Sequence, residues 1–163
     1  MHPEQKEFLD DHFAVKEWHG RRGSGRRMVK GFRSEDLEIK NWKLQRAKSE
    51  QRARTIALRS LWAHGDSGKE LLSVDVFECA SVKAAHDQLL EMLADVQSPK
   101  IERQTGETAP GDVAFGLANT MILFARANLA VWIRNAGPKV VPVGVVARQL
   151  DAQILRRVET SNL

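Results

Sequence analysis

The sequence predicts an α+β protein, a two-layer sandwich in which a mainly antiparallel sheet carries two amphipathic helices on one face. Several segments alternate apolar and polar residues at the two-residue period of a strand. Two others, residues 82–97 and 142–157, repeat apolar residues at the three- and four-residue steps of a helix. Because the links between strands have hairpin length, the sheet should be antiparallel. The predicted order is three strands, a helix, two to four strands and a second helix.

The length and composition predict one globular domain. The chain has 163 residues, of which 42% are hydrophobic and 28% are charged. Both fractions are close to the averages for globular proteins. We expect residues 37–158 to form the domain, residues 1–36 an N-terminal extension with a basic glycine- and arginine-rich loop, and residues 159–163 a frayed tail.

The first half of the sheet is predicted from three alternating segments. In residues 37–44 the alternation slips once in phase, which indicates a strand with a bulge. Residues 54–63 and 70–79 alternate as well, and the link of residues 64–69 is rich in turn-forming residues. The second and third strands should therefore form a hairpin.

The first long helix begins after Ser81, a residue that can cap it, and ends before Pro99. A short strand is predicted over residues 113–117. A further short helix is predicted over residues 3–12, where a proline and acidic side chains occupy the first turn.

The strongest pattern lies in residues 121–133, where every second residue is apolar. Strands usually have about five or six residues, so this segment should be either one sharply bent strand or a hairpin near residues 126–128. Pro142 then opens the last helix, and Arg156 and Arg157 near its end offset the helix dipole.

Positive charge is concentrated in one part of the chain. The formal net charge is +4, yet residues 20–59 alone hold thirteen basic side chains against four acidic ones. Within this segment, glycines separate the arginines of residues 20–27 and favour a loop that could adapt to phosphates. The candidate binding residues here are Arg21, Arg22, Arg26, Arg27 and Lys30. The alternative is a solvated loop whose charges keep the protein soluble.

Aromatic residues among cations give two further candidate surfaces. Trp42 lies among lysines and an arginine, as in proteins that stack on single-stranded nucleic acid, although packing into the core is the favoured interpretation. The second face of residues 121–134 offers Arg126, Asn128, Trp132 and Arg134, residue types that are enriched at interfaces. The alternative is that this face packs under a second layer, with the polar residues solvated at its rim.

The sequence predicts no catalytic residue, no metal site and no cofactor. The tetrapeptide of residues 65–68 reads Gly-Asp-Ser-Gly, but Lys69 and Glu70 differ from the residues that come after the nucleophile in serine proteases. Asp75 and Glu78 are three residues apart on a strand, so they should point to opposite faces. Cys79 stands alone, which excludes an intramolecular disulfide, and it should be buried as a small hydrophobic residue.

These observations favour a non-catalytic binding or accessory protein that engages a macromolecular partner, a protein in the first instance, through a sheet face or the basic loop. Two alternatives stay open: a nucleic-acid-binding protein that uses residues 20–59, and a small enzyme with an unrecognised active site. The longest apolar runs have five residues, so no transmembrane segment is predicted. The N-terminal residues lack a signal-peptide pattern and predict a cytoplasmic protein, with an extracytoplasmic location open where a signal peptide has been removed.

Overall fold

Three helices and seven strands make up the part of the chain that the computed structural model describes, residues 1–18 and 28–160. The helices are α1 (Pro3–His12), α2 (Val82–Val96) and α3 (Gly144–Thr160). The strands are β1 (Trp42–Arg52), β2 (Thr55–His64), β3 (Leu71–Glu78), β4 (Glu102–Gln104), β5 (Val113–Leu117), β6 (Met121–Arg126) and β7 (Leu129–Asn135). They form one sheet in the order β1-β2-β3-β7-β6-β5-β4, with every neighbouring pair antiparallel. The predicted α+β class and antiparallel sheet are confirmed.

Two hairpins fix the register of the sheet. β2 and β3 are joined as predicted, and Arg59 lies directly opposite Asp75. β6 and β7 are joined at residues 127–128, with Arg126 opposite Leu129. The long alternating segment is therefore a hairpin and not a bent strand, because Ala127 adopts a left-handed conformation (φ 52°) that reverses the chain in two residues.

The β6–β7 hairpin divides the alternating residues between the two faces of the sheet. Since Ala125 lies opposite Ala130, odd-numbered residues of β6 share a face with even-numbered residues of β7. Leu123 therefore points to one face, while Val131 and Ile133 point to the other. The residues that alternate through the whole segment in the sequence therefore face one side of the sheet in β6 and the other side in β7, and a different layer buries each set.

The two long helices cover opposite faces of the sheet, whereas the sequence predicted both on one face. Leu89 and Leu93 of α2 pack in one core cluster, and Leu150 and Ile154 of α3 pack in the other. The prediction missed this detail because it took residues 121–133 as apolar on one side only. Both faces of the central strands are apolar, so each face needs a covering helix.

The N-terminal residues add to both layers. On the α3 face, Phe32, Leu37 and Ile39 pack against β1 and β2 in the same cluster as α3. On the α2 face, Val15 and Trp18 join the cluster around α2, which itself lies over β6, β7 and β3. On this face, Ala57 of β2 is buried in the α2 cluster, but β1 is exposed from Gln45 to Arg52, so the sheet is open toward its β1 edge.

Strand β1 begins later and runs further than predicted. Residues 37–41 precede the strand, and their two apolar side chains enter the α3-side cluster from a loop. The phase slip predicted within residues 37–44 falls before the strand begins, and the bulge of β1 lies further along, where the register with β2 shifts between Leu44 and Arg46. Beyond Gln45 the strand continues to Arg52 with every residue exposed.

Cys79 is buried at the end of β3, as predicted, with 4% of its surface exposed. Burial raises the pKa of its thiol to about 12, because the thiolate would lose its hydration. Asp75 and Glu78 lie on opposite faces of β3, as expected from their spacing. Among the described residues, no helix is both long enough and apolar enough to cross a membrane.

Candidate functional site

The open part of the sheet on the α2 side carries most of the cations of the first three strands and β7. We call this surface the basic face. It is formed by Lys43, Arg46, Lys48, Arg52, Arg59 and Arg134. Two carboxylates lie among these cations: Glu50, which pairs with Arg52 at 3.1 Å, and Asp75. The balance of charge on the face is therefore positive.

The bulge in β1 brings its cations onto one side. Lys43 lies before the bulge and pairs with Ala63, on the α2 side of β2. In a regular strand, Arg46 and Lys48 would then point to the opposite side. The extra residue, Gln45, shifts the phase by one, so that Arg46 and Lys48 point the same way as Lys43.

Asp75 lies at the centre of the basic face. Its side chain is 3% exposed, and its Oδ2 accepts hydrogen bonds from Nη1 of Arg59 (3.1 Å) and Nη2 of Arg134 (3.3 Å). Burial raises the pKa of the Asp75 carboxyl above its ordinary value, and the two guanidinium groups only partly oppose this shift. One carboxylate thus binds two arginines. Each arginine side chain is about two fifths exposed, so further guanidinium N–H groups can donate hydrogen bonds toward solvent.

The guanidinium groups of the same two arginines also pack against aromatic rings. The Arg134 guanidinium lies 4.3 Å from the centre of the Trp132 ring, and that of Arg59 lies 5.7 Å from the centre of the Phe77 ring. Both are cation–π distances. The Trp132 Nε1 atom is buried and has no hydrogen-bond partner among the described residues. The arginines are therefore held in place before any ligand arrives.

Two cavities lie on either side of this arginine–aspartate cluster. The larger, of about 560 Å³, lies between the sheet and α2 and is open to solvent, and Gln88, Glu91 and Asp95 of α2 line its far side. The second, of about 400 Å³, lies toward β1 and is lined by Arg46 and Lys48. Arg59, Asp75 and Arg134 line both cavities. They form one continuous surface that is basic toward β1 and acidic toward α2.

This arrangement can bind an anion. Arg59, Arg134, Arg46 and Lys48 all offer N–H donors, and no carboxylate among residues 1–18 and 28–160 lies within ion-pair distance of Arg46 or Lys48. Within the described ranges, no group of three or more His, Cys, Asp and Glu side chains could hold a metal ion.

The structure separates the candidate residues of the β6–β7 hairpin. Arg134 belongs to the basic face, and the Trp132 ring lies beneath its guanidinium group. Arg126 points toward α3, where it pairs with Asp112 and Asp151. Asn128 lies in the turn and is 1% exposed, whereas one interpretation of the sequence placed it at a solvated rim. It is buried because its side chain forms hydrogen bonds with backbone groups of two neighbouring segments.

The other sequence candidates lie away from the basic face. The half-buried Trp42 packs against the α3-side cluster, with its ring 5.2 Å from that of His64, as the favoured interpretation expected. Lys30 is exposed in the segment that precedes β1. The arginines of the basic loop, Arg21, Arg22, Arg26 and Arg27, lie outside the described residues, as does the end of the tail, residues 161–163.

Sequence reasoning missed Arg46, Lys48 and Arg59 as site residues. From Arg46 to Arg52 every second residue is charged and the residues between are small or neutral, a period-two pattern that contains no large apolar residue. That pattern is typical of an exposed edge strand. The predicted hairpin, with its link at residues 64–69, would place Arg59 opposite Val74, one residue away from its observed partner Asp75. The charge pattern of β1 was thus present in the sequence, whereas the exact pairing of Arg59 was not.

Comparison with known proteins adds no family to this description: no protein-family model matches the chain, and no curated protein or solved structure matches it with significance.

Proposed function

We propose that the protein is a non-catalytic binding protein whose basic face engages an acidic segment of a partner protein. The observation that carries the proposal is the group of cations on an open sheet, of which Arg46 and Lys48 have no carboxylate within ion-pair distance among the described residues. Exposed cations alone also occur on ordinary surfaces. Here, however, two of them are preorganised by a buried carboxylate and two aromatic rings.

The charge distribution favours a partner with few, spaced negative charges. Glu91 and Asp95 line the α2 side of the larger cavity, and Glu50 interrupts the cations of β1. A nucleic-acid strand carries a charge on every phosphate and would meet these carboxylates. A peptide can place its carboxylates against the cations alone, which supports the protein partner.

The aromatic residues point the same way. Non-specific binding of single-stranded nucleic acid relies on exposed rings that stack with bases. Trp132 is covered by the Arg134 guanidinium, and Trp42 packs against the core. Neither ring on these strands offers an open stacking platform.

The proposal is tested with a fluorescein-labelled peptide of about ten residues in which glutamate alternates with threonine. Replacing Arg46 and Lys48 together with glutamine should weaken its binding about tenfold at low salt, because two unpaired cations are lost from the contact. Both residues are exposed, so the fold should be unaffected. Fluorescence anisotropy measures the dissociation constant.

The matched control removes the same charge from the opposite edge of the sheet, by replacing Lys100 and Arg103 with glutamine. Both residues are exposed, and Arg103 lies on β4. This variant should bind the peptide like the wild type. Equal weakening by both pairs would show a general charge effect and contradict the proposal. Tighter binding of an oligothymidine of similar length than of the acidic peptide would favour nucleic acid in its place.

A further inference from the structure

The free edge of the sheet suggests how the acidic segment binds. β1 is an edge strand of 11 residues and pairs with β2 on one side. From Gln45 to Arg52 all its residues are exposed. The opposite edge, β4, has three residues. A long edge with unpaired backbone groups is a template for a further strand.

The hairpin between β1 and β2 determines which backbone groups point outward. Arg52 and Thr55 flank a two-residue turn, so their backbone groups bond each other across the hairpin. In an antiparallel pair, such bonded positions alternate with positions whose N–H and C=O point away. Ala47, Ser49 and Gln51 are the positions that point to the free edge.

We infer that the acidic segment adds to β1 as an eighth, antiparallel strand; the inference rests on the proposed function. The two sides of β1 match such a strand. Arg46, Lys48 and Arg52 lie on the basic face, whereas Ala47, Ser49 and Gln51 on the other side are uncharged. A strand that alternates acidic and neutral residues would place carboxylates beside these three cations, and one carboxylate beside Glu50, whose charge Arg52 already pairs.

The same cations argue against a second copy of this chain as the occupant. In a symmetric antiparallel pair of two β1 strands centred on Ser49, Arg46 of each copy would lie beside Arg52 of the other, and Lys48 beside Glu50. The two arginine pairs would repel each other, whereas an acidic strand meets all three cations with the opposite charge. Lysine and arginine on this edge strand therefore favour an acidic strand over self-pairing.

The experiment uses two peptides of identical sequence and charge. Both alternate glutamate and threonine, and they differ only in which backbone nitrogens are methylated. In antiparallel register the threonines lie opposite Ala47, Ser49 and Gln51, so threonine N–H groups donate to β1, whereas glutamate N–H groups point to solvent. Methylation of the threonine nitrogens should weaken binding about tenfold or more, and methylation of the glutamate nitrogens should leave it unchanged.

A protein variant and an exchange measurement complete the test. Ser49→Pro removes an outward N–H that β2 does not use, and edge strands tolerate proline at such positions. It should weaken binding of the unmethylated peptide, while Ser49→Ala should not. In the wild type, the amides of Ala47, Ser49 and Gln51 should exchange at least about tenfold more slowly once the peptide is bound.

Failure of the inference and failure of the proposed function are distinguishable. Unchanged affinity for the threonine-methylated peptide, with no added protection at these three amides, would overturn strand addition. If the unmethylated peptide still binds and the Arg46/Lys48 variant still weakens it, the basic face remains the binding surface. If the unmethylated peptide does not bind at low salt, the proposed function itself is wrong, and the inference fails with it.

Discussion

Replacing Arg126 with alanine should lower the free energy of unfolding by about 3 kcal/mol, since it removes the cation that two largely buried carboxylates share. Arg126 donates from Nε and Nη2 to both oxygens of Asp151 at 2.9 Å, and from Nη1 to Asp112 at 3.1 Å. The side chains of Asp112 and Asp151 are 14% and 13% exposed. Without the arginine, two poorly hydrated negative charges would face each other. Urea unfolding followed by circular dichroism measures the loss.

The control for this prediction is Arg33→Ala. Arg33 pairs with Glu35 at 3.5 Å, but both side chains are at least half exposed. Such a pair contributes about 0–1 kcal/mol. Equal destabilisation by the two substitutions would contradict the structural role of Arg126. Asp151→Asn combined with Arg126→Ala should lose less than the sum of the single variants, since the removed groups interact with each other.

Replacing Asn128 with alanine should also cost about 3 kcal/mol of stability, since three buried backbone groups would lose their partners. Its Oδ1 accepts from the Val29 N–H at 2.7 Å, and its Nδ2 donates to the carbonyls of Val29 and Cys79 at 2.8 and 2.9 Å. Asn128 thereby ties the segment after residue 28 to the β6–β7 turn and the end of β3. Denaturant unfolding reports the stability, and hydrogen exchange reports the Val29 amide.

Asn119→Ala is the matched control for Asn128. Asn119 is exposed in the turn between β5 and β6, so its loss should change the stability by less than about 0.5 kcal/mol. The Val29 amide should exchange faster in Asn128→Ala and at the wild-type rate in Asn119→Ala. A wild-type exchange rate in both variants would show that the Asn128 side chain does not hold this segment.

Sequence patterns predicted the elements of the fold better than their packing. Helix α2 and strand β5 follow local periodicity and capping, and both lie where the pattern placed them. The placement of the helices depends on the β6–β7 turn. A hairpin of two residues and a bent strand give the same alternation in the sequence, yet they direct the residues after the turn to opposite faces. Periodicity alone cannot distinguish these two outcomes.

The candidate site was only partly visible in the sequence for a related reason. Trp132 and Arg134 were identified by type, but Arg59 joins them through the pairing of β2, β3 and β7. Asp75 was considered as a possible acid or base, while its contacts with Arg59 and Arg134 depend on which strands are neighbours. Neighbouring strands that are distant in sequence, such as β3 and β7, are a property of the sheet topology. Local sequence patterns do not specify it.

If the charge of the basic face determines binding of an acidic segment, replacing Asp75 with asparagine should strengthen that binding. Folding raises the pKa of Asp75. Between the ordinary aspartate pKa and this raised pKa, the folded protein binds more protons than the unfolded chain, so the stability falls as the pH rises through that range. A neutral isostere should therefore leave the protein about as stable at pH 7, since Arg59 and Arg134 remain in contact with solvent.

The decisive measurement is the dissociation constant of the glutamate–threonine peptide for the wild type and for Asp75→Asn at pH 7 and low salt. Asparagine removes the negative charge that partly neutralises Arg59 and Arg134, while its carbonyl oxygen can still accept from both guanidinium groups and hold them in place. We expect binding about fivefold tighter, with the gain shrinking as salt screens the charges. Unchanged or weaker binding by a variant that unfolds like the wild type would show that the charge of this face does not determine binding.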